Sequence, residues 1–531
     1  MNIRPTERFA LLLIGALLVL RALYLFTHAV DSDEPQNLHV VYQWAKGQLP
    51  YRDTFDNHTP LLHALFLPFA GLVGENANVV LLARLFLVPI SFGSVWLFYV
   101  LCRRLFDRPV ALWSVAITLA LADWSLKSIE FRPDILWMFC WFAALCVIVR
   151  PERRPTTTAF FLAGLLLGAA GASSVKTAFL LPALGLGWAV TWAFSTSFRE
   201  AYPWPTIVRC SLASILGLAI VPGAIAAFFA SQGAFDDMLT CIYAVNKDPF
   251  LTERSWIAFV LFPVAFAVTF YLVRPGGLRP GYRGAVFLSA AAFTLAIIGF
   301  APFEALAKQT LLPAYPLLIA TACQIALTFR PWSDREVNVG GGIVASALTL
   351  AMLVGSPPLA DGTAPQREML AAVLDHTQPT DHVLDRKGET VFRPRPVYLA
   401  YVRSTTREMN AGGLEAPDPS RLRETATAYA IEHTSSYTED MKDHVRENYL
   451  STTGEQLRVA GAILKPSFED GRWIDRLPIE IPGDYLIIEP DGTTTTHRIE
   501  SAEPEVFEFP DREQRTLFWK PAYDSGLRPE I

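Results

Sequence analysis

The feature that most limits the fold of this chain is a series of long apolar runs confined to its first two-thirds. From Met1 to about Ser356 such runs follow one another, whereas from Pro357 to Ile531 charged residues are dense and no run approaches membrane length. A helix needs about 20 apolar residues to cross a bilayer. Candidate runs lie at 9–30, 79–101, 109–124, 134–150, 157–173, 176–195, 208–230, 256–273, 284–301, 310–329 and 340–356. They predict a polytopic bundle of about eleven transmembrane helices over residues 1–356, followed by a soluble domain over 357–531. The overall composition, 52% hydrophobic and 18% charged, averages these two unlike parts. The segment 59–73 is apolar but short and bracketed by proline and glycine, which suits an interfacial or re-entrant helix. The first run follows Arg4 and Arg8 as a signal peptide would. It is long, however, contains Arg21, and has no small-x-small cleavage site before Asp31, so it reads as a retained span.

Basic residues orient the bundle. With the N-terminus in the cytoplasm, the inner turns carry Arg103, Arg104 and Arg108, then Arg150, Arg153 and Arg154, then Arg199 and Arg209, then Arg274, Arg279 and Arg283, then Arg330 and Arg335. The opposite loops are richer in Asp and Glu. Eleven spans then put the C-terminal domain outside, on the periplasmic side of a bacterial inner membrane. The net charge of -6 and the lack of a basic stripe exclude nucleic acid as a partner. The six cysteines all lie in or beside apolar runs with no C-x-x-C pair. They read as packing residues, and neither a disulfide framework nor a cysteine zinc site is expected.

The soluble part reads as a small α/β unit with a β-rich end. Helices are expected at 369–374 and 421–433, and a short strand at 382–384. Alternating runs at 479–481, 484–488, 496–499 and 506–509 predict strands, with Asp491-Gly492 as a hairpin turn.

Ionisable residues at the ends of spans call for a functional account. Here they gather on the outer side. The loop 31–78 opens Asp31-Ser32-Asp33-Glu34-Pro35 and continues through Gly47 to Asp53 and His58-Thr59-Pro60-Leu61. The second outer turn holds Asp123, Lys127, Glu130, Arg132 and Asp134. Lys176 opens the sixth span, and Lys308 precedes the tenth. Such a boundary suits a lipid-linked sugar phosphate with its tail in the bilayer. A carboxylate takes the proton of an acceptor, and cations stabilise charge on the departing phosphate. Plainer readings exist for each residue. Lys176 is placed to snorkel from a helix end. Arg132-Pro133-Asp134 is placed to start a helix. Arg84 and Arg21 are placed for packing, and His58 for ordering a loop.

Together these residues resemble the GT-C fold glycosyltransferases that use polyprenyl-phosphate sugars, among them protein O-mannosyltransferases and the aminoarabinose transferase acting on lipid A. The resemblance covers roughly residues 8–330. It rests on Asp33-Glu34 after the first span, on the stretches Gly47–Asp53 and His58–Leu61, on the small-residue run from Gly168 to Lys176, on Lys308 to Pro316, and on Arg84 in the second span. It implies an inverting transfer from a polyprenyl-phosphate sugar to a glycan, lipid or protein acceptor at the outer membrane face. Asp33 would be the general base, with Glu34 beside it placing substrate or a metal. Asp134 would match the acidic residue of the second outer loop. Arg84, Lys176 and Lys308 would meet the donor phosphate, with Arg132 and His58 as further substrate contacts. Asp31 competes with Asp33, because Asp31-Ser32-Asp33 is also an acidic pair. Metal use varies among such enzymes, so no metal is required, and a divalent ion is compatible. The alternative, a transporter or lipid flippase, places its charges near the midplane, often in repeated halves.

Overall fold

A computed structural model describes residues 5–149, 156–244, 286, 290–292, 294, 308–328, 332–410, 412–431, 436–454, 456–500 and 504–530. The chain divides into two compact units. One comprises Met1–Val30, Asn57–Leu65 and Leu81–Thr363, and the other Asp31–Asp56, Phe66–Val80 and Ala364–Ile531. Two pieces of the loop after the first span therefore belong with the C-terminal residues.

From the N-terminus the helices run α1 (Pro5–Thr27), α2 (Asp33–Ala45), α3 (Leu61–Val73), α4 (Val79–Phe86), α5 (Val88–Leu105) and α6 (Arg108–Ala120). They continue as α7 (Ala122–Lys127), α8 (Pro133–Ile148), α9 (Thr157–Ser173), α10 (Thr177–Phe194), α11 (Thr196–Ala201) and α12 (Trp204–Ser231). Among the described residues, five helices are long and apolar enough to cross a membrane: Glu7–Thr27, Val79–Leu105, Thr177–Phe194, Trp204–Ser231 and Asp334–Gly355. The expected spans at 109–124, 134–150, 157–173 and 310–329 coincide with the shorter apolar helices α6, α8, α9 and Tyr315–Thr328. Those at 256–273 and 284–301 fall almost wholly outside the described residues. Leu12, Val19, Leu216 and Val354 are each at least 66% exposed. Large apolar side chains turned outward along several helices fit hydrocarbon rather than water as the solvent. The chain is a multi-pass membrane protein.

Two devices hold the first unit. Arg21, fully buried in α1, donates to Ser91 Oγ at 2.6 Å, Ser125 O at 2.6 Å and Ser128 O at 2.8 Å, and lies 5.2 Å from the Trp124 ring. Its charge thus ties α1 to α5, to α7 and to the turn after it. The second device is close backbone approach between α9 and α12. A Cβ on Gly164 would stand 2.1 Å from Ser214 O, and one on Gly168 2.5 Å from Leu218 O. Small residues four apart let helices pack this closely in an apolar solvent.

The second unit carries two sheets. The strands are β1 (Val383–Leu384), β2 (Tyr429–Ile431), β3 (Tyr449–Ser451), β4 (Leu457–Leu464), β5 (Ser467–Glu469), β6 (Arg472–Pro478), β7 (Gly483–Ile488), β8 (Thr494–Ile499), β9 (Pro504–Phe509) and β10 (Arg515–Trp519). The larger sheet runs β1-β2-β4-β10-β7-β8 with β3 also on β4, and the smaller runs β5-β6-β9. Among the described strand pairs only β1–β2 is parallel. The helix expected at 369–374 is present as Ala364–His376, and the Asp491-Gly492 turn joins β7 to β8 with Gly492 at φ 85°. Two expectations are corrected. The helix expected at 421–433 stops at Glu424, because Ala426 turns to φ 48° and the chain enters β2. Ile479–Ile481 is not a strand; the flanking Pro478 and Pro482 lack the N–H a ladder requires.

Gly168→Ala is expected to lower stability by about 1–3 kcal/mol, since the methyl meets backbone that yields only if the helices separate. Gly185→Ala, at a site with nothing within 4 Å, is expected to leave it unchanged. Thermal unfolding of the two variants in detergent checks the contrast.

Candidate active site

In the first unit the expected residues of the second outer turn meet the start of α10. Arg132 is the residue before α8, with extended backbone, and Pro133 takes the first helical position, where its missing N–H has no intrahelical bond to lose. This entry turns Arg132 and Asp134 to the same neighbourhood. Lys176, just before α10, pairs with Asp134 Oδ1 at 2.7 Å, and Arg132 Nε lies 3.4 Å from Asp134 Oδ2. Arg132 is also 3.9 Å from Glu130, which pairs with Lys127 at 2.9 Å and with His28 at 3.3 Å. The charges alternate: Lys127, Glu130, Arg132, Asp134, Lys176. The Lys176 ammonium also lies 5.6 Å from the Trp137 ring. His58 is within electrostatic reach of Asp134.

Arg84 is fully buried and has a different setting. Its guanidinium donates to the carbonyls of Leu25 at 3.3 Å, His28 at 2.8 Å and Ala29 at 3.2 Å. These carbonyls follow or end α1, so Arg84 caps that helix with a cation at its negative pole. Lys308 opens a short 3-10 helix, Lys308–Leu311; its side chain lies outside the described residues.

In the second unit the acidic residues that open α2 separate by role. Asp31 Oδ1 accepts from the Asp33 N–H at 3.0 Å, and Glu34 Oε1 accepts from the Asp31 N–H at 3.0 Å. The Asp31 carboxylate thus serves an N–H two residues on and the Glu34 carboxylate one three residues back, so both satisfy N–H groups at the start of α2. Glu34 is fully buried. The Asp33 carboxylate instead pairs with Lys387 Nζ.

Lys387 was not singled out from the sequence. It sits in a turn built on Asp385, whose carboxylate is buried and accepts from Gly388 N at 2.8 Å, Thr390 N at 2.9 Å, Thr390 Oγ1 at 2.8 Å and Arg395 Nε at 2.8 Å. Gly388 adopts φ 104°, and a Cβ there would stand 2.7 Å from the Cβ of His39 in α2. A hydrogen bond of 3.0 Å joins His39 Nδ1 to Val391 O. The turn is thus pressed against α2, and that contact delivers Lys387 to Asp33. The one sequence signal was the density of charge around a Lys-Gly pair in Asp385–Thr390.

Burial pushes the His39 imidazole down to about 4; Arg395 and Lys46 act the same way, while Asp385 and the bond to Val391 oppose it. Burial raises the Asp385 carboxyl, but Arg395, His39 and the N–H groups of Thr390 and Gly388 outweigh that and hold it below the usual range. Among the described residues no group of three or more His, Cys, Asp or Glu side chains is arranged to hold a metal ion.

A pH dependence follows for His39. Above its ordinary value of 6.5 the imidazole is neutral in both folded and unfolded chains. As pH falls from 6.5 toward 4, the unfolded chain takes up a proton that the folded chain does not, so stability falls. Unfolding temperatures of the full chain in detergent between neutral and acid pH should show this decline, and His39→Gln should flatten it.

The sequence profile of the dolichyl-phosphate-mannose-protein mannosyltransferase family matches residues 57–222. That segment holds His58, Arg84, Arg132, Asp134 and Lys176 and begins after Asp33 and Glu34. No curated protein matches the chain. Among solved structures, ArnT from Cupriavidus metallidurans bound to undecaprenyl phosphate aligns with 12% identity over 85% of this chain and 97% of that one, at a TM-score of 0.57. Its apo form gives 12% identity, 85% and 96% coverage, and a TM-score of 0.56. The S. cerevisiae protein O-mannosyltransferase Pmt1-Pmt2 complex aligns with 22% identity over 43% of this chain and 34% of that one, at a TM-score of 0.34, too low to argue from. The chain thus shares its fold with ArnT, and a segment of its membrane part matches the mannosyltransferase family profile.

Proposed function

We propose that the chain moves a sugar, with inversion, from a polyprenyl-phosphate donor to an acceptor at the extracytoplasmic face of a bacterial inner membrane. In this reading residues 1–356 form the catalytic membrane domain and 357–531 an extracytoplasmic domain. The observation that carries it is the alternating cluster Arg132–Asp134–Lys176, which lies within the segment matched by the mannosyltransferase profile. ArnT, the structural neighbour, binds undecaprenyl phosphate.

Asp33 is the general base. Asp31 and Glu34 are engaged in capping α2, which favours Asp33 over Asp31. The acceptor hydroxyl or amine loses its proton to Asp33 as its oxygen or nitrogen bonds to the anomeric carbon. The bond from that carbon to the phosphate oxygen breaks, and the electron pair leaves with the polyprenyl phosphate. Lys176 and Arg132 stabilise the charge that develops there, with Lys308 and His58 as further contacts. Asp134 holds the two cations in place. Arg84 acts from the end of α1, fixing the carbonyls from which the acidic loop departs.

Asp33→Asn is expected to reduce transfer by roughly 10²–10⁴-fold, the usual contribution of a positioned base, with polyprenyl-phosphate binding retained. The assay is transfer from a panel of polyprenyl-phosphate sugars by the purified, reconstituted chain. Wild-type turnover in that variant would sink the assignment of Asp33.

A further inference from the structure

The second unit carries a half-open cavity of about 730 Å³, within the range of roughly 300–1,000 Å³ usual for small-molecule sites. Its walls come from the loop after α1, from the turn that carries Lys387, and from the segment 415–424. Lys387 is shared: it lines the cavity, and its ammonium pairs with Asp33. A molecule seated in the cavity therefore contacts the residue that holds Asp33.

The lining identifies the class of molecule. Asp53, Glu415, Asp418 and Glu424 supply carboxylates, and Lys387, Arg395 and Arg421 supply cations. Charges this nearly balanced do not select a polyanion. A wall so rich in ionised groups does not suit an acyl chain, which needs apolar surface. None of the lining residues lies in a strand of either sheet, so no ladder edge is offered to a peptide backbone. What remains is a field of donors and acceptors beside an aromatic pair, Phe55 and Tyr398, whose rings meet edge to face at 5.8 Å. Tyr398 is 41% exposed. Closely spaced hydroxyls on a ring with apolar C–H faces match that surface.

We propose that this cavity is the acceptor site, and that it takes the hydrophilic end of a saccharide, one hydroxyl of which reaches Asp33 past Lys387. The proposal rests on the reading of Asp33 as the base. It names the acceptor group as a sugar hydroxyl, whose proton passes to Asp33 while its oxygen bonds to the anomeric carbon of the donor.

The test is saturation-transfer NMR on the full chain in detergent micelles with two neutral trisaccharides, maltotriose and cellotriose, and a neutral serine-containing hexapeptide. Undecaprenyl phosphate binding is measured on the same samples. The variant is Glu415→Ala with Arg421→Ala, two exposed positions whose loss leaves the fold intact. At least one trisaccharide should bind the wild type, and the variant should bind it about tenfold more weakly, the equivalent of about 1.4 kcal/mol. Undecaprenyl phosphate should bind both alike. The proposal is overturned if neither trisaccharide binds, if the variant binds it as well as the wild type, or if the hexapeptide binds instead. Loss of undecaprenyl phosphate binding by the wild type would overturn the donor reading and this inference with it, a result distinct from failure of the saccharide alone.

Discussion

A charge inside an apolar bundle is tolerable only with its countercharge beside it, and the first unit is organised around that constraint. Lys127, Arg132 and Lys176 interleave with Glu130 and Asp134 over short distances. Asp134 is held by both Arg132 and Lys176, and Glu130 by both Lys127 and Arg132, so each buried charge is balanced from two sides. The helices that present these residues are fixed in turn by Arg21 and by the glycines between α9 and α12. The side chains of the cluster are therefore held before any ligand arrives, and preorganised dipoles and charges are what charge-developing reactions need.

The second unit repeats the logic in water-facing protein. Asp385 gathers two backbone N–H groups, a hydroxyl and a guanidinium, and the resulting turn is stiff enough to bring Gly388 against His39. The neutral, buried imidazole is tolerated because its Nδ1 is bonded to Val391 O. The same turn positions Lys387, the partner of Asp33.

Much of this was legible in the sequence. The apolar runs marked the helices because hydropathy is a local property of composition. The acidic and basic residues at span ends marked the cluster because charge is rarely found there without reason; Arg132, Asp134 and Lys176 do meet. The glycine-rich run before Lys176 was read for its motif, while Gly168 in it also serves helix packing. Lys387 stayed hidden because its meaning lies in a tertiary contact. Nothing in Asp385–Thr390 announces that the turn will dock on α2. The fates of Asp31, Asp33 and Glu34 were likewise unreadable, since the three carboxylates differ only in which hydrogen bonds they accept. The segment 421–433 was misjudged because helical composition runs on past Ala426, whose backbone breaks the helix.

The pairing of Asp33 with Lys387 spans 354 residues of chain. Asp33 emerges early in synthesis and waits through the whole helical bundle for the cation that balances it. Until the C-terminal part has been made and folded, α2 presents an acidic end with no cation from the Asp385 turn. A chain that ends before residue 387 lacks the ammonium that pairs with Asp33 in this structure. The order of synthesis thus makes completion of the chain a condition for assembling this corner of the molecule.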